Sequence, residues 1–353
     1  MSPEADRSLE PLPTAASAAP QGRATIRDVA VAAGVSVPTV SKVINGRYGV
    51  ALETSQRVLD VVERLGYESS LVASSLRRRR TNVIGILVAE FESFSVELLK
   101  GISAAATGTG YELLAYSGLA ADGERAGWER RSLSRLAGTL IDGAIVVTPS
   151  VVMGTSSIPV VAIDPHSGPD GPTTIDSDNI GGARVATEHL IGLGHRRIAH
   201  IRGRAGLASA ELRELGYRES LAAAGIPFDD DLIRDGGYQA TLAEEAAREL
   251  LTGPDRPTAV FAANDVSALR VLGVAEELGL RVPEDLSVIG FDDIAESARS
   301  RPPLTTMAQP LHDLGARALR MLIELLDGRD VPGHVQLPAE LVVRGSTGPA
   351  KER

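Results

Sequence analysis

Twenty-one residues near the N-terminus, TIRDVAVAAGVSVPTVSKVIN at 25–45, leave little choice of local fold: a short helix, a sharp turn, a second short helix. Thr25 is a hydroxyl residue suited to capping a helix start, and Asp28, three positions on, can return the bond to the Thr25 backbone. Ile26, Val29, Ala30 and Ala33 then share one helical face. Gly34 supplies the left-handed backbone that turns the chain at once. Ser36 is placed to cap the next helix, and Pro38 is tolerated in a first turn whose N–H groups lack intrahelical partners anyway. Val40, Val43 and Ile44 are predicted to pack inward, leaving Val37, Pro38, Ser41 and Lys42 facing out. When such a second helix enters a DNA major groove, its first residues meet base edges. Lys42 has the reach for guanine O6/N7 or a phosphate, while Val37 and Pro38 offer apolar contact to a thymine methyl. The plain alternative is a helical hairpin with a solvated lysine.

Residues 54–65 predict a third amphipathic helix, with Val58, Leu59, Val61, Val62 and Leu65 on its apolar side and Gly66 as its stop. Charge separates this head from the rest. Residues 22–80 hold ten Lys/Arg against five Asp/Glu, a net +5. With the −2 of residues 1–21 set apart, the chain's −10 leaves −13 for residues 81–353. A basic head on an acidic body concentrates attraction for phosphate at one end and discourages the body from adhering to DNA.

The remaining length suits a body of two subdomains with real cores. Short β-branched runs alternate with helical segments, which predicts parallel sheets covered by helices on both faces. Ligands in such sheets bind beyond the carboxyl ends of the strands. The runs 83–88, 144–147, 160–163, 258–262 and 286–291 end at Ala89-Glu90-Phe91, Thr148-Pro149, Asp164, Asn264-Asp265 and Asp292-Asp293. Polar groups thus recur where a ligand would sit. The absence of Cys excludes disulfides and thiolate metal sites and fits a reducing compartment. Residues 1–21, rich in Ala, Pro and Ser, lack the basic-then-apolar layout of a secretion signal and are expected to be a disordered tail. No run is long enough to span a membrane, and the missing signal together with a DNA-binding head makes cytoplasmic residence the expectation.

Catalysis finds no foothold in the motifs. G-x-S-x-G, a P-loop lysine motif and H-E-x-x-H are missing, and the six His show no metal-ligand spacing. No cofactor, metal site or catalytic residue is expected. Asp164 and Asp292 could form a glycosidase pair in principle, but recognition of hydroxyls suits the expected fold better. His195 and His200 read as structural residues flanking a strand start. A sugar-binding transport receptor would share the two-lobed body, yet it would need an export signal and no DNA-binding head.

The head motif, with Gly66-Tyr67 and Ala73-Ser74-Ser75-Leu76 behind it, resembles the LacI/GalR-type bacterial transcription regulators. In the body, GHRRIA from Gly194, AND at 263–265, SVIGFDD from Ser287 and PPLTT from Pro302 extend the likeness to about Ser346. The resemblance implies a small all-α helix-turn-helix head and an α/β body of two Rossmann-like lobes, of the periplasmic sugar-binding type, joined by three crossover strands. It implies a division into a tail (1–21), a DNA-binding domain (22–67), a hinge helix and linker (68–81), an effector-binding and dimerisation domain (82–346) and a C-terminal tail (347–353). Val37, Pro38 and Lys42 would read bases; Thr25, Ser36, Thr39, Ser41, Asn45 and Thr54 would hold phosphates. Leu76 would wedge into the minor groove and kink the duplex. Asp164, Asp176, Arg213, Tyr238, Asn264 and Asp292 fall at the family's ligand-contacting places, with Glu90 and Phe91 on the first lobe. Their chemistry suits a sugar: Arg213 donates in a fork to neighbouring hydroxyls, carboxylates accept, and an aromatic covers the ring face. The implied partners are a roughly palindromic double-stranded DNA operator, a mono- or oligosaccharide effector and a second copy of the chain in a homodimer. The implied role is a repressor of carbohydrate-utilisation genes, its effector acting as inducer or, with the opposite sign, as corepressor.

The sequence also departs from the family pattern. Ser69-Ser70 stand where Pro-Asn is usual, Ser74 replaces an Arg, and the first-lobe loop AEFESFS is shorter than the common D-x-x-N-P-F-F. Arg77, Arg78, Arg79 and Arg80 either restore phosphate affinity or form a solvated linker.

Overall fold

A computed structural model of the chain describes residues 24–44, 49–67, 80–118, 127–151, 156–168, 171 and 173–351. The expected tail at 1–21, Asn45, and linker residues 68–79 with Leu76 lie outside them. The chain divides into two compact units, Met1–Arg77 and Arg78–Arg353.

The first unit holds α1 (Ile26–Ala33), α2 (Val37–Ile44) and α3 (Leu52–Leu65). Thr25 and Asp28 form the reciprocal capping box, with the Thr25 backbone N–H donating to Asp28 Oδ2 at 2.7 Å. Gly34 ends α1 at φ 67°, and the Thr39 N–H donates to Ser36 Oγ at 3.3 Å, capping α2. Val29, Ala30, Ala33, Val40, Val58 and Val61 form the core. Two expectations differ. Val37 is half-buried against this core instead of facing out, because it lies three residues before Val40 on the same stripe. Leu59 and Leu65 are exposed, at 46% and 37%, because the buried stripe of α3 is narrowed to Val58, Val61 and Val62.

The second unit contains two six-stranded sheets, each parallel except at one edge strand of the second. The first lobe orders its strands β11-β5-β4-β3-β1-β2, where β1 is Val83–Val88, β2 Glu112–Ser117, β3 Gly143–Val147, β4 Val160–Ile163, β5 Thr173–Ser177 and β11 His334–Leu337. The second lobe orders β12-β10-β9-β8-β6-β7, where β6 is Ile198–Arg202, β7 Ile233–Asp235, β8 Ala259–Ala262, β9 Ser287–Asp292, β10 Thr305–Ala308 and β12 Glu340–Val342. The inner strands are apolar on both faces, as helix-covered parallel sheets require. The chain passes between lobes after β5, after β10 and after β11.

Helices α4 (Ser93–Ala106) and α5 (Trp128–Leu136) cover the first lobe, and α6 (Asn179–Gly192), α7 (Ala208–Ala223), α8 (Ala240–Thr252) and α9 (Asp265–Glu277) cover the second. Helix α10 (Leu311–Leu326) follows the second crossover yet packs on α4. That crossing needs glycine on both sides: a Cβ at Gly101 would lie 2.1 Å from the His312 carbonyl, and one at Gly315 would lie 2.4 Å from that of Leu98. Among the described residues no helix is long and apolar enough to cross a membrane.

Residues 347–351, expected as a trailing tail, are tied down along the second lobe. The Gly348 N–H donates to Ser287 Oγ at 3.0 Å, and the Ala350 N–H donates to the Leu193 carbonyl at 2.8 Å. His195 bonds through Nε2 to Ser287 Oγ and the Gly348 carbonyl, and through Nδ1 to Thr258 Oγ1. The GHRRIA histidine is therefore a structural pin. His200 is fully buried between Tyr217 and Phe261, and burial pushes its imidazole down to about 4.

Candidate functional site

Pro38 and Lys42 are exposed on α2, while Thr39, Ser41 and Val37 are half-buried. Thr25 and Ser36 stand exposed at the caps of α1 and α2, and Thr54 lies in the first turn of α3. The two caps use hydroxyls that also bond locally, Ser36 Oγ to Thr39 Oγ1 at 2.8 Å and Thr25 Oγ1 to Asp28 Oδ2 at 2.7 Å.

In the second unit, the carboxyl ends of both sheets converge on a cavity of about 130 Å³, on the order of ten times the volume that one water needs. Its first-lobe wall includes Glu90, Trp128, Thr148, Asp164 and His166; its second-lobe wall includes Arg204, Ser209, Arg213, Tyr238, Asn264 and Asp292. Four of the lining residues sit at a backbone bend. Thr148, Asp164, Tyr238 and Asp292 have φ of 46°, 47°, 61° and 118°, the left-handed region that non-glycine residues seldom adopt. Strand pairing runs right up to two of them, the Thr148 N–H donating to the Ile163 carbonyl at 2.8 Å and the Asp164 N–H to that of Ile175 at 2.9 Å.

Arg213, on α7 and 3% exposed, organises the second-lobe wall. Its Nε donates to Asn179 Oδ1 at 2.8 Å, and its Nη1 to the Ala263 carbonyl and to Asp292 Oδ1, the latter at 3.4 Å. The guanidinium stacks 3.8 Å over the Phe291 ring. Asp292 Oδ1 also accepts from Gln309 Nε2 at 2.6 Å. Burial pushes the Asp292 carboxyl up to about 6 even against the Arg213 charge. Burial likewise raises Asp164, opposed by the same guanidinium. The result is a cationic fork between two acceptors that hold their charge reluctantly. Asn264 Oδ1 accepts the Ser267 N–H at 3.0 Å, so this residue caps α9 while its side chain lines the cavity.

Six of the eight residues expected at the effector site line this cavity together: Glu90, Asp164, Arg213, Tyr238, Asn264 and Asp292. Phe91 does not; it is 53% exposed. Asp176 does not either. It accepts from Gln336 Nε2 at 3.2 Å and lies 3.7 Å from His334 Nε2 across the β5–β11 pairing. Burial raises its carboxyl to about 6. Sequence reasoning passed over His166, Trp128, Arg204 and Ser209. His166 follows Asp164 by two residues, so the strand-end rule already pointed at it. Its Nδ1 is buried without a hydrogen-bond partner, and burial, then Arg204, pushes the imidazole down to about 4. The ring is thus held neutral in the cavity wall, with one buried nitrogen left unsatisfied. Ser209 Oγ pairs with Tyr238 Oη at 3.2 Å. Trp128 reaches the cavity from α5, far from any strand end, and only tertiary placement reveals it. Among the described residues no cluster of His, Asp and Glu gathers as a metal site.

Residues 25–70 match the family described as bacterial regulatory proteins, lacI family, and residues 187–347 match a periplasmic binding protein-like domain. The chain is 36% identical to the HTH-type transcriptional repressor PurR of Photobacterium profundum, over 92% of this chain and 98% of that protein. Among solved structures it is similar to the transcriptional regulator CelR in complex with cellobiose, with TM-score 0.67 and 33% identity over 92% of this chain and all of the other. It is similar as well to the lac repressor dimer bound to operator and an anti-inducer, with TM-score 0.78 and 29% identity over 92% of this chain and 99% of that one. With head and two-lobed body matched together over nine-tenths of its length by such regulators, the chain belongs to the LacI family and is a transcriptional repressor, not an enzyme.

Proposed function

We propose that this repressor acts in the cytoplasm as a homodimer, binds a roughly palindromic operator and is released from it by a small uncharged carbohydrate held between the lobes of its body. One observation carries the effector reading. Hydrogen-bond acceptors and donors together line the cavity, Asp164, Asn264, Asp292 and Arg213 among them, along with the aromatic Trp128. Each sugar hydroxyl both donates and accepts, so such a mixture satisfies a polyol, and an aromatic wall suits its apolar ring face. Four carboxylates, Glu90, Glu92, Asp164 and Asp292, line the cavity against two guanidiniums, Arg204 and Arg213, which disfavours a phosphate or carboxylate ligand. The cellobiose held by the similar CelR supports the same class.

At the head, Val37, Pro38 and Lys42 read base edges, and Thr25, Ser36, Thr39, Ser41, Asn45 and Thr54 hold phosphates. Leu76, in a hinge at 68–81 between a head at 22–67 and a body at 82–346, wedges the minor groove. One recognition helix reads few base pairs, so a two-fold pair reading two half-sites supports the dimer. Effector closure displaces the first lobes within the dimer and withdraws the hinges. Such coupling is reciprocal, so operator must weaken effector binding by the same factor.

Thermal-shift measurements test this directly, because a ligand that binds only the folded state raises its melting temperature. D-glucose, maltose and cellobiose form one arm, D-glucose 6-phosphate a second, and hypoxanthine and guanine a third. The expected result is stabilisation by a neutral sugar, which then releases a duplex selected from random DNA by the full-length protein. Stabilisation by a purine alone refutes the carbohydrate reading; stabilisation by the phosphate alone refutes the uncharged one.

A further inference from the structure

Residues 80–82 are the first described residues of the body, and they are pinned to the first lobe more heavily than a connecting strand requires. One carboxylate does most of it. Asp142, in the turn before β3, accepts at Oδ1 from the Thr81 N–H at 2.7 Å and from Thr81 Oγ1 at 3.0 Å, and at Oδ2 from the Asn82 N–H at 2.7 Å. Its own N–H donates to the Val83 carbonyl at 2.9 Å. Thr81 Oγ1 in turn accepts the Val83 N–H at 3.1 Å, and the Asn82 carbonyl accepts the Glu112 N–H at 2.8 Å. Asn82 holds φ at 58°, so the chain bends sharply at the clamp. Arg80 Nη2 donates at 3.0 Å to the carbonyl of Leu326, the last residue of α10. The Arg80 guanidinium is thereby engaged with the body, which bears on the open reading of the four-arginine run.

We propose that Asp142 is a positioning residue for operator binding: it fixes the point and direction at which the linker leaves the first lobe, so that displacement of that lobe reaches the DNA-binding segment undiminished. Asp142 neither lines the cavity nor belongs to the head. A carboxylate accepts from three donors here because both its oxygens are acceptors; an asparagine offers one oxygen and turns an NH₂ toward a backbone N–H. The geometry predicts more than a longer leash. If residues 68–79 were a flexible tether, freeing 80–82 would lengthen it from twelve residues to fifteen, which lowers the effective concentration of the head only about 1.4-fold. Loss of a fixed exit direction costs specific binding far more, because base readout and a minor-groove wedge need a defined register while charge-driven binding does not.

The test uses full-length Asp142→Asn and the wild type, with two probes: a duplex selected from random-sequence DNA by the wild type, and a scrambled duplex of equal length. Affinity for the selected duplex is expected to fall about 10- to 100-fold and affinity for the scrambled duplex to stay within about 2-fold. Selected-duplex affinity within about 2-fold of wild type overturns the proposal, as does a parallel loss on both duplexes, which marks general damage. The inference rests on the proposed role of the segment at 68–81 as a DNA hinge, so a second readout is independent of DNA. Trypsin acts at the run Arg77, Arg78, Arg79 and Arg80; the clamp predicts a wild-type body fragment beginning at residue 78, 79 or 80, shifting to residue 81 in Asp142→Asn. The same fragment ends in both proteins would sink the clamp itself, whereas shifted ends with unchanged DNA binding would sink only its role in operator binding.

Discussion

Arg213→Ala should damage both the effector response and the stability of the body, and the second effect should depend on pH in a direction the site dictates. At pH 8 the wild-type Asp292, with its carboxyl near 6, is charged beside Arg213. The variant must leave that carboxylate buried and unpaired, or protonate it at about 1.4 kcal/mol for each pH unit by which the pH exceeds its pKa. Removing one partner of a buried pair costs about 3–5 kcal/mol. In a body of this size, about 2–4 °C is lost per kcal/mol, so the expected drop in melting temperature is about 6–20 °C. At pH 5 the wild-type carboxyl already carries most of its proton, and the charge pair contributes little. What remains is the loss of the bonds to Asn179 and the Ala263 carbonyl, about 1–3 kcal/mol. Scanning calorimetry at both pH values, on Arg213→Ala and on Arg213→Ala/Asp292→Asn, measures the difference. The second substitution should recover most of the pH 8 loss, because an amide needs no counter-charge. Equal losses at pH 5 and pH 8, or no recovery in the double variant, would refute the assignment of Arg213 as the charge partner of Asp292. Normal release from operator by effector would refute its place in the binding site.

A second titration is isolated above pH 7. Burial, then the neighbouring Asp292 charge, raises the Asp265 carboxyl from its ordinary value to about 8, so its stabilising contribution is full below the unfolded value and is lost as pH rises through 8. The body should lose about 1 kcal/mol between pH 7 and pH 8, or about 2–4 °C; Asp265→Asn should flatten that slope, and an unchanged slope would remove Asp265 as its source. In the head, Val58 is fully buried in a core of few residues. Val58→Ala should cost about 2 kcal/mol there and weaken binding to selected and scrambled duplexes together, while the melting of the body stays fixed. Leu76→Ala should lower affinity for the selected duplex about 10-fold or more and leave effector affinity untouched, as measured by anisotropy and calorimetry.

Local rules carried the reading wherever one residue's chemistry decided the outcome. Thr25 with Asp28, Gly34 and Gly66 mark helix ends that the structure closes with a capping box and left-handed glycines. The five strand runs read from β-branched patterning coincide with β1, β3, β4, β8 and β9 to within a residue. Strand-end logic then reached Glu90, Asp164, Asn264 and Asp292, all of which line the cavity. It faltered where register decides. Glu90 and Phe91 both lie in the loop beyond β1, where neither strand period nor helix period assigns a direction, and Phe91 is left 53% exposed outside the cavity. Asp176 lies inside β5, where its partners come from β11, over 150 residues later in the chain. Trp128 and the Asp142 clamp were illegible for a similar reason: each acts through neighbours distant in sequence that only the folded lobe brings together. The spacing of Val37 from Val40 accounts for its intermediate exposure: one side rests on the core and the other stays open.

The four bent residues of the cavity bear on how occupancy moves the protein. Thr148 and Asp164 belong to the first lobe, Tyr238 and Asp292 to the second, and each holds a left-handed backbone that costs about 1–3 kcal/mol for a residue with a side chain. Conformations of that kind persist only where surrounding structure over-determines them, and the sheet bonds reaching Thr148 and Asp164 do so. Asp292 is held likewise by its pairing with β10, so these three positions are set by the sheets themselves, and binding need not spend its energy ordering them. What stays adjustable is the relation between the walls. Hydrogen bonds among the described residues that cross from lobe to lobe beside the cavity include the Ala208 N–H donating to the His166 carbonyl at 3.0 Å, Ser93 Oγ donating to Glu296 Oε1 at 3.0 Å, and Asn179 bonding the Asp164 carboxyl. A ligand held by Asp164 on one side and by Arg213 and Asp292 on the other would compete for groups that already bridge the cleft, Asp164 with Asn179, and so has leverage over the spacing of the lobes. A change of spacing, rather than of wall shape, is the kind of rigid-body motion that a two-fold assembly passes between its subunits.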